Sequence, residues 1–186
     1  DSTFLHSGIA PLMDAVYNKG YSTTIILDNR ITAMTGQQEH PGTGFTIKGE
    51  SAPKVDYEEL VRSLGVKHIR KVDPYKLKEA MEIIKEEVER DAPSVIITVN
   101  SPCMLLRRER PQDRFTYPTY YVDDEECRGC RACLELGCPA ISWKNEERDK
   151  RIGRKRKGVC FILREQCVGC GICSQVCRFE AIKPVK

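Results

Sequence analysis

The stretch CRGCRACLELGCP at residues 127–139, answered by CVGCGICSQVC at residues 167–177, decides what the last third of this chain is. Cys127, Cys130 and Cys133 stand two residues apart, with four residues before Cys138. Cys167, Cys170 and Cys173 repeat the spacing, with three residues before Cys177. Doubled rows of this kind hold [4Fe–4S] clusters. Three thiolates so spaced wrap three corners of one cubane, and the fourth, too far along the chain, reaches the neighbouring cluster. The rows therefore predict two [4Fe–4S] clusters. One takes Cys127, Cys130, Cys133 and Cys177; the other takes Cys167, Cys170, Cys173 and Cys138.

Zinc is the competing reading, but two C-x2-C pairs usually complete a zinc site and a third cysteine at the same spacing is surplus. Disulfides suit small secreted domains, and nothing here resembles a secretory signal. Nine of the ten cysteines follow residue 123, so residues 123–186 read as a cluster-stabilised module and residues 1–101 as a different fold. A core that small is weak without its metal centres. Cys103 and Cys160 lie outside both rows and read as buried apolar residues.

No apolar run approaches the roughly 20 residues of a membrane span, which predicts a soluble protein without a membrane partner. Thiolates bound to iron imply a reducing compartment, the cytoplasm. The net charge of +3 conceals a local excess: residues 144–157 hold eight Lys or Arg against three Asp or Glu. The loop at 151–157 reads first as a solvated hairpin tip and second as a docking patch for an acidic electron carrier. Nucleic acid is disfavoured because no aromatics are interleaved with the charges.

Residues 1–101 alternate helix and strand patterns. Ile9, Leu12, Met13, Val16 and Tyr17 share one helical face, with Ser7 placed to cap it and Gly20 to end it. Residues 23–27 read as a strand buried on both faces. Asp56 and Glu59 resemble a capping box before a short helix. Residues 67–72 are a second strand, Asp73-Pro74 a helix start with Leu77, Met81, Ile84 and Val88 as its stripe, and residues 94–99 a third strand. That order predicts an α/β layer on a parallel sheet. Three strands are few for such a sheet, so the missing ones are expected before Asp1 or in another chain, and the chain reads as a fragment.

Pro102, Pro111 and Pro118 punctuate an Arg- and Tyr-rich stretch, which predicts a linker over 102–122. Its Arg107, Arg108, Arg110 and Arg114 suit interdomain packing, or grip of an anion. Beyond it each cysteine row leads to an Ala-Ile pair, Ala140-Ile141 and Ala181-Ile182. That doubling suits a pseudo-symmetric βαββαβ ferredoxin-like module, an α+β fold, with segments near 141–143 and 160–163 paired as a hairpin.

A second signal lies at the beginning. Asp1 and Asn29 can each stand at a strand end, where they would offer two oxygen ligands to Mg²⁺ and leave positions open for a diphosphate. Alone this is weak, because Asp and Asn are common at strand ends.

Residues 1–50, with the runs DSTFLHSG and NRITAMTGQ, resemble the thiamine diphosphate motif of the 2-oxoacid:ferredoxin oxidoreductases. That motif opens on Gly-Asp and closes, about as far along as Asn29 stands from Asp1, on a metal-binding loop. The Gly is not in this sequence, which also fits a fragment. Within the family the similarity is greatest to large subunits of the indolepyruvate type, which end in a two-cluster ferredoxin module. The resemblance implies a partial thiamine-diphosphate-binding α/β domain followed by that module. It implies thiamine diphosphate and Mg²⁺ as cofactors, with Asp1, Asn29 and the Ile31 carbonyl as Mg²⁺ ligands and His6, Met34 and Thr35 lining the cofactor pocket. His6 as a helix cap and Met34 as plain core are the structural alternatives.

The activity implied is oxidative decarboxylation of an aryl pyruvate to its acyl-CoA, with electrons leaving through the clusters to external ferredoxin. The partners implied are a smaller subunit, soluble ferredoxin, coenzyme A and the 2-oxoacid. A plain electron-transfer protein, or a sister enzyme acting on another 2-oxoacid, are the alternatives. Arg178, where Pro usually follows the fourth cysteine, and the extra residue before Cys138 depart from the family pattern.

Overall fold

The computed structural model describes residues 1–100, 118–145 and 157–185. They fall into two compact units, Asp1–Pro102 and Cys103–Lys186. Cys103, Arg107, Arg108, Arg110 and Arg114, and the basic loop except Lys157, lie outside the described residues.

β-branched runs make the first unit's sheet: β1 (Thr23–Leu27), β2 (His68–Val72) and β3 (Ser94–Thr98). All pairing is parallel, in the order β1-β3-β2. Ile26, Val95 and Ile97 pack with Val61, Tyr57 and Leu12 as one core, while Ile96 and Val72 face Ala80 and Ile83 on the other side. Strand β3 is thus buried on both faces. Strand β1, expected to be so, is not: it lies at the edge of the described sheet, and Ile25 and Leu27 are exposed.

Three helices cover the sheet: α1 (Ile9–Tyr17), α2 (Tyr57–Ser63) and α3 (Leu77–Val88). Asp56 caps α2 as its sequence predicts, accepting from the Glu58 and Glu59 amides. Three expectations fail locally. Ser7 does not cap α1, because a π-helical turn at Phe4–Gly8 leads straight into it and the Ser7 hydroxyl donates to the Thr3 carbonyl. Helix α3 begins at Leu77 rather than at Pro74: residues 74–76 form a turn ahead of it, closed by the Lys76 amide on the Asp73 carbonyl and the Tyr75 amide on the Asp73 carboxylate. Its buried positions are Ala80, Ile83 and Glu87, leaving Met81 and Val88 exposed. Glu87 tolerates that place, at 1 % side-chain exposure, because Arg90 Nε lies 2.8 Å away and Arg70 3.6 Å away.

The second unit follows the predicted βαββαβ order. It runs β4 (Tyr120–Val122), a 3₁₀ turn (Leu134–Leu136), β5 (Ile141–Asn145), β6 (Gly158–Ile162), α4 (Ile172–Val176) and β7 (Ile182–Pro184). Strands β5 and β6 form the expected antiparallel hairpin, with Trp143 opposite Cys160. Strands β4 and β7 pair antiparallel. The linker expected to reach residue 122 therefore ends earlier: Tyr120–Val122 is strand, zipped to Ile182–Pro184 and secured by Lys183 on Asp123 at 2.7 Å. The core of this unit consists largely of its cysteines with Ile141 and Ile182.

Candidate functional site

Two cavities in the second unit sort the cysteines. One, of about 290 Å³, is lined by Cys138, Cys167, Cys170 and Cys173. The other, about 20 Å³, is lined by Cys127, Cys130, Cys133 and Cys177. Each row sends its fourth cysteine to the other row's cavity. The fold explains the exchange: the β4–β7 pairing lays the start of one half against the end of the other, and the β5–β6 hairpin closes the opposite side. Positive φ at Gly129, Arg131, Gly169 and Gly171 turns each x-x segment back on itself, so successive thiols face one space. At Gly171 a side chain would also meet the Tyr120 hydroxyl.

Among the described residues no three His, Cys, Asp or Glu converge on a single ion position. A cubane suits such spread thiols, since each iron takes one thiolate. Burial pushes the Cys173 thiol up to about 11 and also raises Cys133. Ionising them takes a bound cation, which couples metal binding to proton release and to folding.

Cys160 is a fifth thiol in the smaller cavity, almost fully buried and hydrogen-bonded to Cys133; burial pushes it up to about 12. Arg128 and Arg131 also line this cavity. Arg178 is exposed and does not line it.

In the first unit, the Leu27 carbonyl at the C-terminal end of β1 accepts from the backbone nitrogens of both Asp1 (2.8 Å) and Asn29 (3.0 Å). The two predicted oxygen donors are thereby brought to one strand end, the place where open α/β sheets bind ligands. Asp1 Oδ1 accepts from the Ser2 amide at 2.6 Å. Its Oδ2 is buried and makes no hydrogen bond, an orphaned anionic oxygen of the kind a divalent cation satisfies. Asn29 Oδ1 accepts from the Ile31 amide at 3.1 Å, which turns the chain there. The donor set fits Mg²⁺.

His6 and Thr35 line a cavity of about 570 Å³ together with Ser2, Thr32, Gln38 and His40. His6 makes no helix cap. Met34 is not brought to this cavity, and it is not core either. Gln38 pins Thr35 through two 2.6 Å bonds and the Gln37 amide closes on the Thr32 carbonyl, so Met34 is left fully exposed at the loop tip.

Sequence reasoning missed His40. Its Nε2 lies 3.2 Å from Asp1 Oδ2. A turn through Pro41 and Gly42 fixes it: the Thr43 amide and hydroxyl both bond the His40 carbonyl, and the Gly42 amide donates to Nδ1 at 3.1 Å. Burial holds its imidazole below the ordinary range. Tyr57 was missed as well; its hydroxyl is buried without a partner and close to Gly42, and desolvation raises its pKa. The one available signal was a His-Pro-Gly-Thr turn shortly after the Asn29 loop.

Among the described residues, no helix is long and apolar enough to cross a membrane. Residues 161–183 match the 4Fe-4S binding domain. The chain is 38% identical, over its whole length, to the indolepyruvate oxidoreductase subunit IorA of Pyrococcus horikoshii, and covers 27% of that relative. It is 39% identical over 99% of its length to the subunit of that name from Methanothermobacter thermautotrophicus, again 27% of the relative. The chain thus spans about a quarter of the length of the curated relatives it matches. No solved structure matches it. Residues 1–98, which carry the Asp1–Asn29 strand end, match the C-terminal TPP-binding domain of thiamine pyrophosphate enzymes, and the chain belongs to that family.

Proposed function

We propose that the chain is the cofactor-binding and electron-exporting part of a 2-oxoacid:ferredoxin oxidoreductase acting on aryl pyruvates of the indolepyruvate type. The observation that carries this is the pairing, in one chain, of a buried orphan carboxylate oxygen at a strand end with two cavities that each gather four cysteines of the two rows. An electron carrier alone has no use for the first. The substrate class follows the name that those relatives carry.

Asp1, Asn29 and the Ile31 carbonyl would hold Mg²⁺, and with it the diphosphate of thiamine diphosphate. When bound, that cofactor supplies the carbanion chemistry that removes CO₂ from a 2-oxoacid. His40 orients Asp1, while His6 and Thr35 line the adjoining cavity. Cys127, Cys130, Cys133 and Cys177 would ligate one [4Fe–4S] cluster; Cys138, Cys167, Cys170 and Cys173 would ligate the other. These thiolates let a two-electron oxidation leave as single electrons. The partners proposed are a smaller subunit, coenzyme A and soluble ferredoxin, in the cytoplasm.

The test is steady-state reduction of ferredoxin by the anaerobic, assembled enzyme with coenzyme A, Mg²⁺ and thiamine diphosphate. kcat/KM for indolepyruvate should exceed that for pyruvate by at least about tenfold, the discrimination that differences in apolar pocket contacts supply. Equal values would refute the aryl assignment, and turnover without thiamine diphosphate would refute the mechanism.

A further inference from the structure

We propose that the two cluster sites are electrically unequal: Arg128, Arg131 and the Cys160 thiol give the site of Cys127, Cys130, Cys133 and Cys177 the higher reduction potential. The inference rests on the two-cluster ligand sets proposed above and adds an order to them.

The two cavities differ in what surrounds their cysteines. Among the described residues, no Lys, Arg, Asp or Glu lines the cavity of Cys138, Cys167, Cys170 and Cys173, and no thiol beyond those four does. The other cavity carries two arginines and one surplus thiol. Both guanidiniums are held at its rim by aromatic faces. Arg131 lies over the Trp143 ring at 4.2 Å, and Arg128 over Phe179 at 5.7 Å. Cation–π seating of this kind keeps the charge on the rim rather than dispersed in solvent.

Cys160 sits on β6 opposite Trp143, so the hairpin register itself aims it inward. Its thiol lines the same cavity as Cys133, one of the proposed ligands, packs in one buried cluster with it and is hydrogen-bonded to it. It is a positioning residue, acting through Cys133.

Reduction adds one electron to a cubane and makes the site more negative. A fixed positive charge and an S–H donated to a ligand sulfur both stabilise that form, and both raise the potential. An electron from oxidation of the 2-oxoacid, entering either site, therefore comes to rest at the arginine-rimmed one. Cys130, exposed at that rim, marks where it passes singly to a soluble iron–sulfur carrier.

EPR-monitored redox titration of the anaerobically purified holoprotein tests this. Two midpoints are expected. Arg131→Gln and Cys160→Ala should each lower the higher one by about a tenfold change in equilibrium constant, about 59 mV for one electron, and leave the lower unmoved. Cys160→Ser keeps a donor and should stay near the parent value, which a purely space-filling Cys160 would not produce. Arg131 is exposed, so its variant reports even where a Cys160 variant fails to fold. Movement of the lower midpoint, or of neither, with about eight irons per chain overturns the inference alone. Markedly fewer irons, or zinc in their place, overturns the two-cluster reading and the inference with it.

Discussion

His40 Nε2 stands 3.2 Å from Asp1 Oδ2, in a wall that leaves only 6% and 2% of the two side chains exposed. Because the Gly42 amide donates to Nδ1, that nitrogen is the acceptor and the ring proton belongs on Nε2; ring and carboxylate pack against each other, with Nε2 and Oδ2 both left without a hydrogen bond. Partners that orient a ligating carboxylate matter nearly as much as the ligand. His40→Ala should therefore weaken Mg²⁺-dependent binding of thiamine diphosphate by about 10–100-fold. Titration calorimetry of the assembled enzyme checks it, and unchanged affinity would remove His40 from the site.

The exchange of fourth cysteines makes a prediction that a within-row scheme does not share. Cys177→Ser should disturb the cluster of Cys127, Cys130 and Cys133, although residues 167–173 are its neighbours in sequence. Combined with Arg131→Gln, it should give no further change at the second cluster's EPR signal. If Cys177→Ser instead alters the signal that Cys170→Ser alters, the cross-ligation is wrong.

Glu87 makes the first unit's stability depend on pH. Hydrogen bonding to Arg90 holds its carboxyl below the ordinary range despite burial. A depressed folded-state pKa contributes stability above the unfolded value of about 4.3, and that contribution is lost as pH falls through the folded value. Glu87→Ala should cost about 2–3 kcal/mol at pH 7 and visibly less at the acid end. Thermal unfolding of parent and variant across pH 3–7 measures the difference.

Among the described residues of the second unit the order of elements was legible, because the cysteine rows mark the chain reversals that the strands flank. Strand β4, inside the supposed linker, was not legible, because pairing with Ile182–Pro184 overrides a local composition rich in Pro and Tyr. In the first unit strand identities were readable from β-branched runs, but strand environment was not. Burial of Ile25 and Leu27 depends on what lies beside β1, which local pattern does not state. Helix α3 misled for a related reason: a paired carboxylate, Glu87, took an inward place that periodicity assigns to an apolar residue. Asp1 and Asn29 were findable as strand-end oxygens. His40 was not, since it meets Asp1 only through a turn that Pro41 and Gly42 build.

The most direct measurement joins both halves of the chain. The anaerobic enzyme is mixed with an aryl pyruvate and frozen, and the reduced-cluster EPR signal is recorded with and without Mg²⁺–thiamine diphosphate, and again in Asp1→Ala. The expected result is a reduced [4Fe–4S] signal only in the parent protein with the cofactor present. A signal of equal size without the cofactor, or in Asp1→Ala, would contradict the coupling of the two sites.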